Sequence, residues 1–271
     1  MSEEELEITP FLKWAGGKRW FIQKYKSVFP NEYKDYYEPF IGGGAVLFSL
    51  LPQHAVISDI NAEITNLYIV MRDNPLKLKD LMQKHQKKHS KDYYYYIRKE
   101  CYSDCAEKAA RTLYLNRTCF NGLYRVNKNK QFNVPIGTKM NCIYDVDFFE
   151  TYSQILKNSI IRTEDFSVAL SRAKDGDLVF ADPPYVSTQN PEGFIKYNEN
   201  LFTWSDQQRL LKDLVEARER GVKIVATNAN FSEIKEMYVK TGFNVSEIER
   251  SSTIAGKNNK RGIVKELLII S

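Results

Sequence analysis

Short apolar runs alternate with helical patterns along most of this chain, and that alternation limits its fold more than any other feature. The β-like runs are Tyr36–Ile41, Ala55–Ser58, Ser159–Arg162, Asp177–Ala181, Val222–Thr227, Phe243–Ile248 and Ile263–Ile270. The clearest helical pattern is Ser205–Glu219, with Ser205 as candidate N-cap and Leu210, Leu211, Leu214, Val215 and Ala217 on one apolar face. Strands joined by helices build a mostly parallel sheet covered on both faces, because each crossover helix buries its apolar stripe. The expected fold class is α/β, Rossmann-like and doubly wound, with seven strands. Between about residues 63 and 158 the alternation stops, and a helical, tyrosine-rich stretch leads into a basic loop. That stretch reads as an insertion, so the expected domains are 1–62 with 159–271, and 63–158.

A chain of 271 residues accommodates one large or two modest domains. It contains no apolar run of about 18 residues, the minimum for a membrane-spanning helix. The acidic start Met1-Ser2-Glu3-Glu4-Glu5 has the wrong sign for a secretory leader, and the four cysteines are expected as reduced thiols. A cytoplasmic location follows as an expectation. Positive charge is segregated: residues 77–91 carry net +5, 117–139 net +5 and 250–262 net +4, while the whole chain carries only +5. Clustered Lys and Arg suit a polyanion, because they release its condensed counterions. The spacing in 77–91 fits the wet side of a helix equally well.

Three motifs carry chemistry. The first, Glu38-Pro39-Phe40-Ile41-Gly42-Gly43-Gly44, follows a strand and opens an apolar segment, so a ligand can approach bare backbone there. Asp59 ends the next apolar run, where an acid can accept hydrogen bonds from ribose hydroxyls; capping the helix at Asn61 is the structural alternative. The glycines lack the dinucleotide spacing G-x-G-x-x-G. In the second motif, Lys13-Trp14-Ala15-Gly16-Gly17-Lys18, the first glycine of a phosphate loop is missing and Arg19 stands where Ser or Thr would hold magnesium. A tight turn remains, with Trp14 available for stacking and Lys18 for a carboxylate. The third, Asp182-Pro183-Pro184-Tyr185, lies at a carboxyl end of a strand, where open α/β sheets bind ligands. Two prolines stiffen the turn and remove two donors, holding a carboxylate, a carbonyl and an aromatic plate together. Such a set suits an exocyclic amine; an Asp-Pro turn capped by a packed tyrosine fits equally.

Taken together, in this order, the motifs resemble the α group of amino-methyltransferases, and specifically the Dam family of DNA adenine-N6 methyltransferases of GATC type. Phe120-Asn121-Gly122-Leu123-Tyr124-Arg125 and Phe132-Asn133-Val134-Pro135-Ile136-Gly137 extend the likeness, which runs from about residue 10 to the C-terminus. The resemblance implies the S-adenosylmethionine-dependent methyltransferase fold, with 63–158 as a target-recognition domain bearing a hairpin at about 117–139. It implies S-adenosylmethionine as cofactor, contacted by Trp14, Lys18, Phe40, Gly42, Gly44, Asp59, Asp165, Phe166 and Asp182. Its catalytic set is Asp182, Pro183 and Tyr185, acting on an adenine flipped out of duplex DNA. Contacts to DNA are assigned to Lys13, Phe120, Asn121, Leu123, Arg125, Pro135 and Lys139, with Arg125 on a guanine edge.

The aromatic loop Ser187–Trp204, with Phe194, Tyr197 and Phe202, is expected to order around DNA, and Arg250–Gly262 to touch phosphates. His85 and His89 stand four residues apart but lack a third ligand, so they are expected as surface histidines, and no metal is predicted. Double-stranded DNA is the expected partner of a monomer that contacts no membrane, with a cognate restriction endonuclease in a restriction-modification system. Rival readings are an amino-methyltransferase for cytosine N4 or RNA adenine, and a catalytically inactive DNA-binding module.

Overall fold

The computed structural model describes residues 8–127, 131–143, 148–185, 202–251 and 263–271. In chain order the elements are α1 (Arg19–Tyr25), β1 (Tyr36–Glu38), α2 (Leu47–Leu50), β2 (Ala55–Asp59), α3 (Ala62–Asp73), α4 (Pro75–Lys88), α5 (Lys91–Lys99) and α6 (Cys105–Thr118). They continue with α7 (Phe149–Leu156), β3 (Ser159–Thr163), α8 (Phe166–Arg172), β4 (Leu178–Ala181), α9 (Trp204–Glu219), β5 (Lys223–Ala229), α10 (Ser232–Lys240), β6 (Asn244–Ser251) and β7 (Ile263–Ile270). The seven strands form one sheet in the order β3-β2-β1-β4-β5-β7-β6. β1 runs parallel to β2 and β4, and β4 to β5, whereas β7 is antiparallel to both β5 and β6. This is the mostly parallel, seven-stranded α/β sheet expected from the alternation of strands and helices. No helix among the described residues is long and apolar enough to cross a membrane.

The chain divides into two compact units, one of Met1–Arg19, Ile41–Gln53 and Asp59–Thr163, the other of Trp20–Phe40, His54–Ser58 and Glu164–Ser271. In the second unit β4 shows why a strand buried on both faces reads as a continuous apolar run. Val179 and Ala181 join a core with Tyr37, Val56, Leu210, Leu214 and Ile224. Phe180, between them, turns to the opposite face and meets Phe21 and Phe29 at ring-centroid distances of 6.0 and 5.8 Å. β1 stops at Glu38 rather than Ile41, since Pro39 has no N–H for a ladder and the chain then bends into the glycine turn. Helix α9 is capped by Thr203, not Ser205: the Thr203 hydroxyl accepts from the Asp206 N–H (3.1 Å), and Asp206 accepts from the Thr203 N–H (2.8 Å).

The first unit is built from α3 to α7. Short polar side chains start three of these helices: Asn61 accepts from the Glu63 N–H, Ser90 from that of Tyr93, and Asp104 from that of Glu107, at 3.0 to 3.2 Å. Phe11 anchors an aromatic cluster with Phe48, Tyr68 and Tyr152, centroids 4.9 to 5.6 Å away. Along α4, Leu78, Met82 and His85 face inward while Lys77 and Lys79 reach Asp104 and Glu150 on the surface. His85 is therefore not a surface histidine. It stacks on Tyr114 (4.7 Å), its Nδ1 lies 2.9 Å from the Tyr93 hydroxyl, and burial lowers its pKa to about 4. His89 shares a 2.8 Å hydrogen bond with the Tyr114 hydroxyl, so both imidazoles serve packing.

After α6 the chain runs out and back as an antiparallel pair. Cys119 and Val126 bridge to Ile136 and Phe132, and the Gly137 N–H donates to the Thr118 carbonyl at 2.8 Å.

Candidate functional site

The glycine turn after β1 is shaped by Trp14. Gly42 and Gly44 have φ of +44° and +69°, and a Cβ on Gly42 would stand 2.6 Å from Trp14 Cδ1. Only glycine lets the indole lie against the main chain there. Asp59, at the end of β2, closes the turn: one oxygen accepts from the Gly42 N–H (3.2 Å), the other from the Asn61 N–H (2.9 Å). Burial pushes the Asp59 carboxyl above its ordinary range, against the pull of those N–H groups. Asn61, not Asp59, caps α3. Trp14 also lies 5.3 Å from the Tyr124 ring. Lys18 is buried, and its ammonium donates to the Gly16 carbonyl at 3.0 Å.

Lys13 is held from both sides of its peptide by Asn116, a fully buried residue of α6. Its N–H donates to Asn116 Oδ1 (3.0 Å), and Asn116 Nδ2 donates to its carbonyl (2.8 Å). The Lys13 stem runs over Gly122, where a Cβ would stand 2.6 Å from Cδ. Partial burial first, then the neighbouring Lys139 ammonium, lower the Lys13 pKa to about 8. Phe120, Asn121, Leu123, Arg125, Pro135 and Lys139 are all exposed, and Asn121 adopts a left-handed φ of +56°. The Arg125 Nε donates to Asn133 Oδ1 at 2.9 Å.

Arg117 departs from the basic surface expected of residues 117–139. It is 2% exposed and donates to the carbonyls of Phe11 (3.3 Å) and Cys142 (2.9 Å), tying α6 to two loops. Lys128 and Lys130 lie outside the described residues, as do Phe194 and Tyr197 of the aromatic loop and Lys257, Lys260 and Arg261.

In the second unit, Asp182 to Tyr185 leave the carboxyl end of β4. The Thr227 hydroxyl, on neighbouring β5, donates to Asp182 Oδ1 at 2.7 Å. Pro183 is buried and Pro184 exposed. The Tyr185 ring packs on the core, and its hydroxyl donates to Glu266 Oε2 at 2.5 Å. Burial, then the charges of Asp182 and Glu266, raise the Tyr185 pKa far above that of free tyrosine, so the hydroxyl stays protonated.

Asp165 caps α8 by accepting from the Ser167 N–H (2.9 Å), and Arg209 grips both its oxygens at 2.5 and 3.0 Å. Burial raises the Asp165 pKa, but the Arg209 and Ser167 hydrogen bonds outweigh it and leave it low. The same guanidinium lies 4.2 Å over the Phe166 ring. Phe40 meets Phe166 at 5.4 Å and Phe202 at 5.8 Å. Phe202 is thus a core residue, not part of a DNA-ordering loop.

Sequence reasoning missed Asn116, Arg209, Thr227 and Glu266. Of these only Glu266 carries a signal, an acid inside an otherwise apolar strand. Each of the other three is an ordinary residue in its element.

The family model of D12 class N6 adenine-specific DNA methyltransferases matches residues 14–254. Similar proteins include the type II methyltransferase M1.LlaDCHI of Lactococcus lactis subsp. cremoris, 38% identical over 99% of this chain and 97% of its own. The type II methyltransferase M.MjaIII of Methanocaldococcus jannaschii is 35% identical over 98% of this chain and its full length. DNA adenine methylase of Escherichia coli K12 is 28% identical over 96% of this chain and 94% of its own. With its motifs in order on the expected sheet and the family model spanning nearly all of it, the chain belongs to the D12 class N6 adenine-specific DNA methyltransferases.

Proposed function

We propose that this DNA adenine methyltransferase acts on the adenine of GATC in duplex DNA, reading the site through residues 117–139 and Lys13. The observation that carries the reading is the exposed strip of Phe120, Asn121, Leu123, Arg125, Pro135 and Lys139, with the Lys13 and Lys139 ammonium groups side by side. Two adjacent ammonium groups concentrate positive potential on this exposed strip, which suits guanine edges and phosphates. In this reading Arg125, steadied by Asn133, pairs with one guanine and Lys13 with the other. Leu123 and Pro135 meet a thymine methyl, Asn121 makes a polar base or phosphate contact, and Phe120 wedges beside the flipped base.

Members of this family use S-adenosylmethionine, and the donor set fits it. A bare-backbone turn beside the Asp59 carboxylate suits an adenosyl group bearing ribose hydroxyls. Trp14, Lys18, Phe40, Gly42, Gly44, Asp59, Asp165, Phe166 and Asp182 are assigned to hold it. When bound, it supplies an electrophilic methyl group on sulfur. Tyr185 stacks on the extruded adenine, and the Asp182 carboxylate and Pro183 carbonyl accept hydrogen bonds from N6. Those bonds favour a pyramidal nitrogen with its lone pair directed at the methyl group. Positioning and electrostatics lower the barrier, and no covalent enzyme intermediate is needed. The amine proton leaves through Asp182 or to water.

The catalytic domain in this reading is 1–62 with 159–271, and the target-recognition domain is 63–158. In this reading the protein is a cytoplasmic monomer, and the type II names of two relatives support a cognate restriction endonuclease in the same system. The test is methyl transfer from labelled S-adenosylmethionine to two duplexes, one with a single GATC and one scrambled to GTAC, followed by nucleoside separation. N6-methyladenine in the GATC duplex alone is expected. Methylation of neither, or of both, overturns the reading of residues 117–139.

A further inference from the structure

Glu266 sits where a carboxylate is costly. It lies on β7, between Ala229 of β5 and Ile248 of β6, and is 1% exposed. A buried carboxylate in an interior strand is tolerated only when paired. Oε2 accepts from the Tyr185 hydroxyl at 2.5 Å, and Oε1 lies 2.9 Å from Nε of Arg250, the diagonal neighbour on β6. The buried tyrosine hydroxyl, flanked by two negative charges, remains a donor and so serves as a fixed tether at the far end of the ring.

We propose that Glu266, with Arg250 as its counter-charge, is a positioning residue that fixes the plane of the Tyr185 ring before the target base arrives. The inference rests on Tyr185 being the plate on which the adenine stacks. A phenylalanine would stack as well, but it would be held at one end only. The tether removes ring orientations that the base would otherwise have to select on entry, a form of pre-organisation. Arg250 thereby acquires a role distinct from the phosphate contact expected of residues 250–262.

A double-mutant cycle tests this, using Glu266→Ala, Glu266→Gln, Tyr185→Phe and the double variants in the full-length protein. Single-turnover methylation, the fluorescence of 2-aminopurine at the target position, and KM for S-adenosylmethionine are read for each. Glu266→Ala and Tyr185→Phe should each slow methylation about tenfold, with KM for the cofactor unchanged. Glu266→Gln, whose amide oxygen still accepts, should stay within about twofold of the parent. Combining Glu266→Ala with Tyr185→Phe should cost no more than Tyr185→Phe alone. Additive losses, or a Glu266→Gln loss equal to that of Glu266→Ala, overturn the proposal. Tyr185→Ala with undiminished fluorescence change and rate removes Tyr185 from the base site, a separate failure that the cycle does not produce.

Discussion

Replacing Gly42 by alanine separates backbone strain from collision, because Gly16 offers the matched control. Both glycines have positive φ, +44° at Gly42 and +78° at Gly16, but an added Cβ at Gly16 meets nothing within 4 Å. Gly16→Ala should therefore show the left-handed penalty alone, about 1–2 kcal/mol. At Gly42 the Cβ would stand 2.6 Å from Trp14 Cδ1 and 2.9 Å from Nε1, well inside ordinary contact, so the indole has to retreat. Retreat is resisted by Tyr124, whose ring packs on Trp14 at 5.3 Å and whose hydroxyl is tied to Glu63 at 2.6 Å. Overpacking of this kind adds about 1–3 kcal/mol, for a total of about 2–5 kcal/mol. Urea unfolding of both variants measures the difference, and calorimetric titration with S-adenosylmethionine measures whether a displaced Trp14 weakens binding, here expected by at least about tenfold, or about 1.4 kcal/mol. Equal unfolding losses for the two variants, with cofactor affinity unchanged in Gly42→Ala, would refute the idea that Trp14 shapes the turn.

Further outcomes follow from the same geometry. With its pKa near 8 in the free protein, Lys13 should take up a proton on meeting DNA, so affinity falls as pH rises above about 8, by up to about tenfold per unit. Lys139→Ala should move that onset to higher pH, and an affinity flat from pH 7.5 to 9.5 at constant ionic strength would remove Lys13 from the interface. Arg125→Ala should lose discrimination at one guanine by roughly 1–3 kcal/mol; equal weakening on all sequences would make it a phosphate contact. Arg117→Ala strands the carbonyls of Phe11 and Cys142, so it should cost about 2–4 kcal/mol of stability and leave the salt dependence of DNA binding unchanged.

The sheet was legible because buried parallel strands are apolar on both faces: Leu178–Ala181 stands out whatever it packs against. The motifs assigned to the site stand out in the sequence because they are rare combinations, such as a carboxylate before two prolines and a tyrosine. Environment was not legible. Arg117 and Arg125 stand eight residues apart and contribute equally to the charge of one segment, yet one is 2% exposed and fixed to carbonyls while the other is open to solvent. His85 departs from the expected surface position for the same reason, since a helix carrying five lysines still has an inner face. The cap of α9 moved from Ser205 to Thr203 because Asp206 lies three residues after Thr203, the spacing that lets both ends of a capping box close.

The residues hidden from sequence share a physical task. Tyr185 is held by Glu266 across 81 positions, Asp182 by Thr227 across 45 and Asp165 by Arg209 across 44, while Asn116 holds the main chain that carries Lys13 across 103. A side chain attached to the chain at one end keeps its rotamer freedom, and a second point of attachment must come from an element that local sequence cannot supply. Motifs therefore record the atoms assigned to the reactants, while β7, α6, β5 and α9 carry the groups that hold those atoms still. Loss of Glu266, Thr227 or Arg209 should consequently appear in the rate of methylation and leave the methylated base unchanged, whereas loss of Asn116 or of a contact group in the recognition strip should change which base is chosen.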